Sequence, residues 1–211
     1  MVSSIIRCAV LSLTQLLTLL GEIMSQSNVV HKTLDELQAG SDSLRAAPRD
    51  AGVLELIVVR PAKNGRRMLD EAELSPEGGV HGDNWAVKCW KTLADGRPDP
   101  QVQLTLMSTR LARLVMGEDK AQWALAGDQL YVDLDLSEEN LPVGQRLSVG
   151  AAQIEITSEP HRGCIKYRNR FGADALKFIS TPEGHRMNLR GIYARVVQAG
   201  AVKVGDVIRK I

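Results

Sequence analysis

Leu130–Leu136 reads LYVDLDL and places Leu130, Val132, Leu134 and Leu136 on one face of an extended chain. Successive side chains of a strand point to opposite faces, so a period of two marks a strand with one face in a core. The pattern recurs on both sides. Residues 152–159, AQIEITSE, alternate with Ile154 and Ile156 inward, and residues 102–106, VQLTL, alternate as well. Residues 53–59, VLELIVV, form a continuous apolar run that Pro61 stops. IYARVVQAG and AVKVGDVIRKI close the chain as two further strands around Gly200. Period-two runs separated by turn glycines predict a mainly β protein with a few short helices, an antiparallel barrel rather than a parallel α/β sheet.

Two short helices are expected. Residues 108–117, STRLARLVMG, put Leu111, Leu114 and Val115 on one face between Ser108 and Gly117 as caps, and residues 173–180, ADALKFIS, give the second. Residues 61–100 read as a long polar loop, a length that in a compact domain is usually either functional or disordered. Thr33 and Glu36 have capping-box spacing ahead of Gly40, and residues 40–52, GSDSLRAAPRDAG, read as a linker. The chain therefore divides into an N-terminal extension and linker, 1–52, and a barrel domain, 53–211. Within residues 1–23, Arg7 and the apolar run to Leu20 leave two readings open: a signal peptide, or a gene-start artefact with translation beginning at Met24. The run is too short for a membrane span. Without export the compartment is the cytoplasm; a real signal would make it the periplasm.

The composition excludes several classes. Of 211 residues, 44% are hydrophobic and only 4% aromatic, so the core must be aliphatic. The formal net charge of +1 argues against a nucleic-acid binder. Three cysteines, Cys8, Cys89 and Cys164, lie far apart, which leaves no CxxC pattern and suits a reducing compartment. No Walker A, G-x-G-x-x-G, G-x-S-x-G or HExxH sequence occurs.

Against this balance one stretch stands out. Residues 160–172, PHRGCIKYRNRFG, surround Cys164 with Arg162, Lys166, Arg168 and Arg170. Positive charge favours the thiolate, which is the nucleophile, the sulfur carrier and the soft metal ligand. The loop follows a strand, a common place for site residues. Cys89, between Lys88 and Trp90, reads as a small apolar residue. Two further segments are candidates for an anion site. In residues 77–85, EGGVHGDNW, glycines flank His81; in residues 180–196, STPEGHRMNLRGIYARV, His185, Arg186 and Arg190 precede a strand. Basic loops meeting at one barrel mouth would focus a positive field there.

The order of these pieces resembles the MOSC domain, named for the C-terminal domain of molybdenum cofactor sulfurases. The resemblance covers roughly residues 53–211 and rests on GVHGD, then Gly127-Asp128-Gln129-Leu130, then VGQRLSVGAAQIEIT leading into Cys164, then RGIYARVVQAGAVKVGDVI. It implies a bent β-barrel of the MOSC type and a molybdenum cofactor. Cys164 would be the signature residue that carries sulfur or ligates molybdenum. His81, Arg162, Lys166, Arg168, Arg170, Asn188 and Arg190 would hold the phosphorylated pterin. Two positions depart from the family pattern: Gly163 stands where proline often precedes the cysteine, and Gly127-Asp128-Gln129 stands where Gly-Glu-Asn is common. There is no room for a pyridoxal-phosphate-dependent desulfurase domain, so the resemblance is to a stand-alone, bacterial-type member. Three functions follow as alternatives. The first is an enzyme, a sulfurtransferase or molybdenum-dependent reductase working with a redox or sulfur-donor partner protein. The second is a carrier that binds the cofactor without turnover, and the third is a redox-responsive thiol protein.

Overall fold

The structure, a computed structural model, describes residues 29–211, so both readings of residues 1–23 lie outside the described residues. The described chain has eleven strands: β1 (Gly52–Val59), β2 (Arg67–Leu69), β3 (Glu71–Ser75), β4 (Gly79–Val80), β5 (Leu104–Ser108), β6 (Leu130–Asp133), β7 (Arg146–Val149), β8 (Ala152–Ile156), β9 (Ile192–Gln198), β10 (Gly200–Lys203) and β11 (Val207–Lys210). Its helices are α1 (Leu34–Ala39), α2 (Asp42–Arg45), α3 (Trp85–Lys88), α4 (Thr109–Met116), α5 (Lys120–Ala124), α6 (Ile165–Phe171), α7 (Ala173–Ile179) and α8 (Pro182–Arg186).

Seven strands close a barrel in the order β1, β11, β7, β8, β9, β5, β6 and back to β1, with β2 added at the outer edge of β1. Closure leaves the ring without a free edge. Neighbours in the ring are antiparallel, as expected, at every seam but one: β5 and β6 run parallel. The reason is the connection. Helices α4 and α5 carry the chain back along the barrel before β6 begins, and such a crossover sets two strands in the same direction.

The apolar patterns now have their physical cause. One cluster fills the barrel: Leu54, Ile57, Leu104, Leu106, Leu130, Val132, Leu147, Ile154, Ile156 and Val196 among others, with Leu134 and Leu136 following on from β6. The opposite faces of β1, β5 and β6 turn Leu56, Val58, Met107 and Tyr131 into a second cluster with Leu37, Leu111, Trp123, Tyr167, Phe171 and Phe178. From Leu56 to Val59 β1 is apolar at every position because both its faces are buried there, while Glu55 interrupts the run before it. Each such side chain adds about 1.5–3 kcal/mol when removed from water.

Two expectations about loops are corrected. Residues 61–100 contain β2, β3, β4 and α3. β3 pairs along the whole of β10 in a second, three-stranded sheet, so a distant partner makes this segment a strand. Residues 40–52, read as a linker, hold α2 and bury Leu44 and Ala47. The capping box is present: the Thr33 amide donates to Glu36 Oε2 at 2.7 Å, and the Glu36 amide donates to Thr33 Oγ1 at 3.3 Å. The Leu34 amide donates to Asp174 Oδ2 at 3.2 Å, and His31 Nε2 lies 3.2 Å from the Arg170 carbonyl. The N-terminal segment thus leans on α6 and α7, the helices that follow Cys164. Ser108 precedes α4 but makes no side-chain capping bond, whereas Gly117 ends it at φ +77°. At Gly191, φ is +99° and an added Cβ would stand 2.3 Å from the Leu106 carbonyl oxygen. Only glycine lets β9 start so close to β5.

Candidate functional site

Cys164 is exposed at the mouth of a cavity of about 280 Å³. It immediately precedes α6, and its carbonyl accepts from the Arg168 amide at 3.1 Å. The residue before it packs closely on a neighbouring helix: a Cβ on Gly163 would lie 2.4 Å from Leu176 Cδ1, a side-chain tip that would have to shift. The glycine at this departure from the family pattern lets the cysteine loop sit directly on α7.

Segments distant in sequence build the walls. The α6 segment supplies Cys164, Lys166, Tyr167 and Arg170; the α3 segment supplies Trp85, Lys88, Cys89 and Trp90; Arg60, Arg66 and Arg190 come from elsewhere. Lys91 Nζ ties the α3 segment to the cysteine loop, at 2.6 Å from Glu159 Oε2 and 3.2 Å from Asp99 Oδ2.

The floor rests on Gly127-Asp128-Gln129, the second departure from the family pattern. Gly127 has φ +89°, and its carbonyl accepts from Arg60 Nη1 at 3.3 Å. Asp128 is fully buried and accepts two bonds from Arg190 Nη1, at 2.9 and 2.8 Å. Gln129 is also fully buried; its Oε1 accepts from the Thr105 amide at 2.9 Å and its Nε2 donates to the Gln103 carbonyl at 3.2 Å. Arg60 is held by both oxygens of Asp83, at 2.9 and 2.8 Å.

Two of the six cations lining the cavity are therefore neutralised, Arg60 by Asp83 and Arg190 by Asp128. Arg66, Lys88, Lys166 and Arg170 have no ion pair among the described residues; Arg66 and Arg170 donate to backbone carbonyls of Ala124 and Leu125. Burial lowers the pKa of both arginines, and for Arg66 the charges of Arg170 and Arg60 lower it further. Burial works against Arg60 and Arg190 too, but their carboxylates outweigh it and the net direction is up. An anion in the cavity would relieve the two guanidiniums that lack one.

Four buried side-chain polar atoms among the described residues have no hydrogen-bond partner: Trp85 Nε1, His161 Nδ1, Tyr167 Oη and Arg190 Nε. All four belong to residues that line this cavity. Buried polar groups are almost always satisfied, so such a concentration marks a place where a ligand completes the bonding. His161 is nine-tenths buried; burial first, then the charges of Arg190 and Arg60, push its pKa well below the ordinary value, so its imidazole is neutral.

Of the residues singled out from the sequence, the structure brings Cys164, Lys166, Arg170 and Arg190 together. It separates the others. His81 is exposed and lines a different concavity with Arg67 and Glu73, because its strand β4 belongs to the second sheet. The GVHGDNW stretch contributes through Asp83 and Trp85 instead. Arg162 and Asn188 line a second cavity of about 340 Å³, on whose border His161 and Tyr193 stand with ring centroids 4.5 Å apart. Asn188 has φ +48° and donates from Nδ2 to the Leu136 carbonyl at 2.9 Å, a turn-forming role. Arg168 is exposed and lies outside the cavity lining. Sequence reasoning missed Arg60, Arg66, Trp85, Lys88, Asp128, His161 and Tyr167 as site residues. The signal for Trp85, Asp128, His161 and Tyr167 was available, since all four stand inside quoted motifs; Arg60, Arg66 and Lys88 have no local signal. Among the described residues no three His, Cys, Asp or Glu side chains converge on a metal position.

Comparison with known proteins agrees with this architecture. The MOSC domain profile matches residues 96–209, more than half of the chain. The crystal structure of the YuaD protein from Bacillus subtilis is similar with a TM-score of 0.56 at 19% identity, over 75% of this chain and 94% of that one. YiiM from Escherichia coli gives 0.48 at 19% identity, over 75% of this chain and 69% of its own. At these identities the likeness is one of fold. No curated protein matches the chain.

Proposed function

The chain belongs to the MOSC domain family, and on that premise we propose that its basic cavity holds the molybdenum cofactor with Cys164 as the protein's sulfur ligand to the metal. The observation that carries the reading is the coincidence, in one lining, of four unpartnered buried polar atoms, four cations without an ion pair and an exposed thiol. The residues fit the group. A phosphorylated, dithiolene-bearing pterin is anionic at both ends and brings most of the metal's ligands itself. Arg66, Lys88, Lys166 and Arg170 hold its phosphate by charge-assisted bonds. Trp85 Nε1, Tyr167 Oη and Arg190 Nε donate to its polar edges, and neutral His161 offers either a donor or an acceptor. Cys164 supplies a soft sulfur. The bound cofactor supplies two-electron and sulfur chemistry at the metal. A redox or sulfur-donor partner protein would meet Cys164 at the open mouth. A reducing compartment such as the cytoplasm keeps that thiol available. No helix among the described residues is long and apolar enough to cross a membrane.

Purified protein from a cofactor-replete host should carry molybdenum and pterin together. X-ray absorption should count one sulfur ligand fewer in Cys164→Ser than in the parent. An equal sulfur count in both proteins refutes direct ligation, and molybdenum-free, pterin-free parent protein refutes the reading as a whole. Bound cofactor with no reduction of N-hydroxylated substrates and no sulfur transfer would identify the carrier.

A further inference from the structure

Cys89 lines the same cavity as Cys164. By sequence it is a small apolar residue between Lys88 and Trp90, but the fold gives it different company. It follows α3 directly, and this segment sends Trp85, Lys88, Cys89 and Trp90 to the cavity. The Trp85 indole N–H is buried without a partner, so the wall beside Cys89 faces a ligand space and not packed core. The two thiols come from segments fastened to each other by the bond of Lys91 Nζ to Glu159 Oε2 at 2.6 Å. Both are free thiols on the lining of one cavity of about 280 Å³, so a group carried on Cys164 enters the space that Cys89 borders.

We infer that Cys89 is the resolving thiol of Cys164. The inference rests on Cys164 being the working thiol of the site; it does not depend on which metal or cofactor is bound. Cys164 attacks the outer sulfur of a donor persulfide and becomes a persulfide while the donor leaves as its thiol, or it attacks an organic disulfide and becomes a mixed disulfide while the other half leaves as a thiol. The Cys89 sulfur then attacks Cys164 Sγ. A Cys89–Cys164 disulfide forms, the outer S–S bond breaks, and its electron pair leaves on the outer sulfur, which takes up the proton given by Cys89. One persulfide and one thiol become one disulfide and one hydrogen sulfide. Lys88, Lys166 and Arg170 stand around the space where the anionic sulfur departs. A dithiol reductant then returns two electrons and two protons to restore both cysteines.

The test uses the full chain with Cys8→Ser throughout and 5,5′-dithiobis(2-nitrobenzoate) as the probe. The Cys8→Ser protein should release about two nitrothiobenzoate anions per chain and show the mass of an internal disulfide with no retained adduct. With Cys89→Ser added it should release about one and keep the adduct on Cys164 at least ~10-fold longer. Cys89→Ala should behave as Cys89→Ser, which separates loss of the thiol from an effect of the serine hydroxyl. With an inorganic polysulfide in place of the aromatic disulfide, both variants should keep the persulfide on Cys164 and lose the equivalent of sulfide that resolution sets free. Stable adducts on both cysteines of the Cys8→Ser protein would overturn the pairing while leaving Cys164 as the working thiol. An adduct on Cys89 alone would overturn both readings, and molybdenum content measured on the same samples stays independent of either.

Discussion

Arg190 Nη1 donates to both carboxylate oxygens of Asp128, at 2.9 and 2.8 Å, beneath the mouth that Cys164 guards. Asp128 is fully buried and the Arg190 side chain is 9% exposed, so neither charge has water to fall back on. Arg190 Nη2 donates to the Ala126 carbonyl at 3.1 Å, and the guanidinium lies 5.3 Å from the centre of the Tyr167 ring. The arginine is thus mostly consumed by the fold. Nε is the guanidinium nitrogen left without a partner.

Asp128→Asn should therefore act first on stability. It leaves a buried guanidinium without its counter-charge, and breaking such a pair from one side costs about 3–5 kcal/mol. Arg190→Ala should cost a similar amount by stranding the carboxylate. Denaturant unfolding with a common slope measures both. A loss below about 1 kcal/mol in either variant would mean that water reaches the pair and that the floor of the cavity is open.

The cations at the wall should behave differently from those that only neighbour Cys164 in sequence. Arg66→Ala and Arg170→Ala should each weaken binding of a phosphorylated pterin by about 1.5–3 kcal/mol, the scale of a hydrogen bond to a charged group. Arg168→Ala and His81→Ala should leave affinity unchanged, because Arg168 lies outside the cavity lining and His81 lies on the second sheet. Calorimetric titration at two salt concentrations reads all four. Equal losses across the set would show a diffuse basic surface in place of a built cavity.

His161 gives the protein an acid limit with a definite sign. Its folded-state pKa is held well below the ordinary imidazole value of about 6.5, by burial first and then by Arg190 and Arg60. As the pH falls through 6.5 the unfolded chain takes up a proton that the folded chain refuses. Stability is therefore full above that value and declines below it, until the pH reaches the folded-state pKa. The slope approaches about 1.4 kcal/mol per pH unit. His161→Gln should flatten the decline between roughly pH 6.5 and pH 5, above the range where carboxylates contribute. An unchanged slope in the variant would show that the imidazole is protonated in the folded protein.

Much of the barrel was written in local pattern. LYVDLDL and AQIEIT could bury their apolar faces only as strands, because a period of two has no other regular solution, and Leu130, Val132, Ile154 and Ile156 do face the barrel interior. The cationic setting of Cys164 was equally legible, since Lys166 and Arg170 are carried by the helix that starts at the next residue. What the sequence could not decide was everything that depends on which distant segments meet. β3 is a strand because β10 lies beside it. His81 leaves the site because β4 joins that second sheet, while Asp83 and Trp85, a few residues on, enter it. Cys89 becomes a neighbour of Cys164 although 75 positions separate them in the chain. Periodicity follows from the geometry of one segment and can be read along it. The register and closure of a barrel follow from pairings between segments, and only the folded chain sets those.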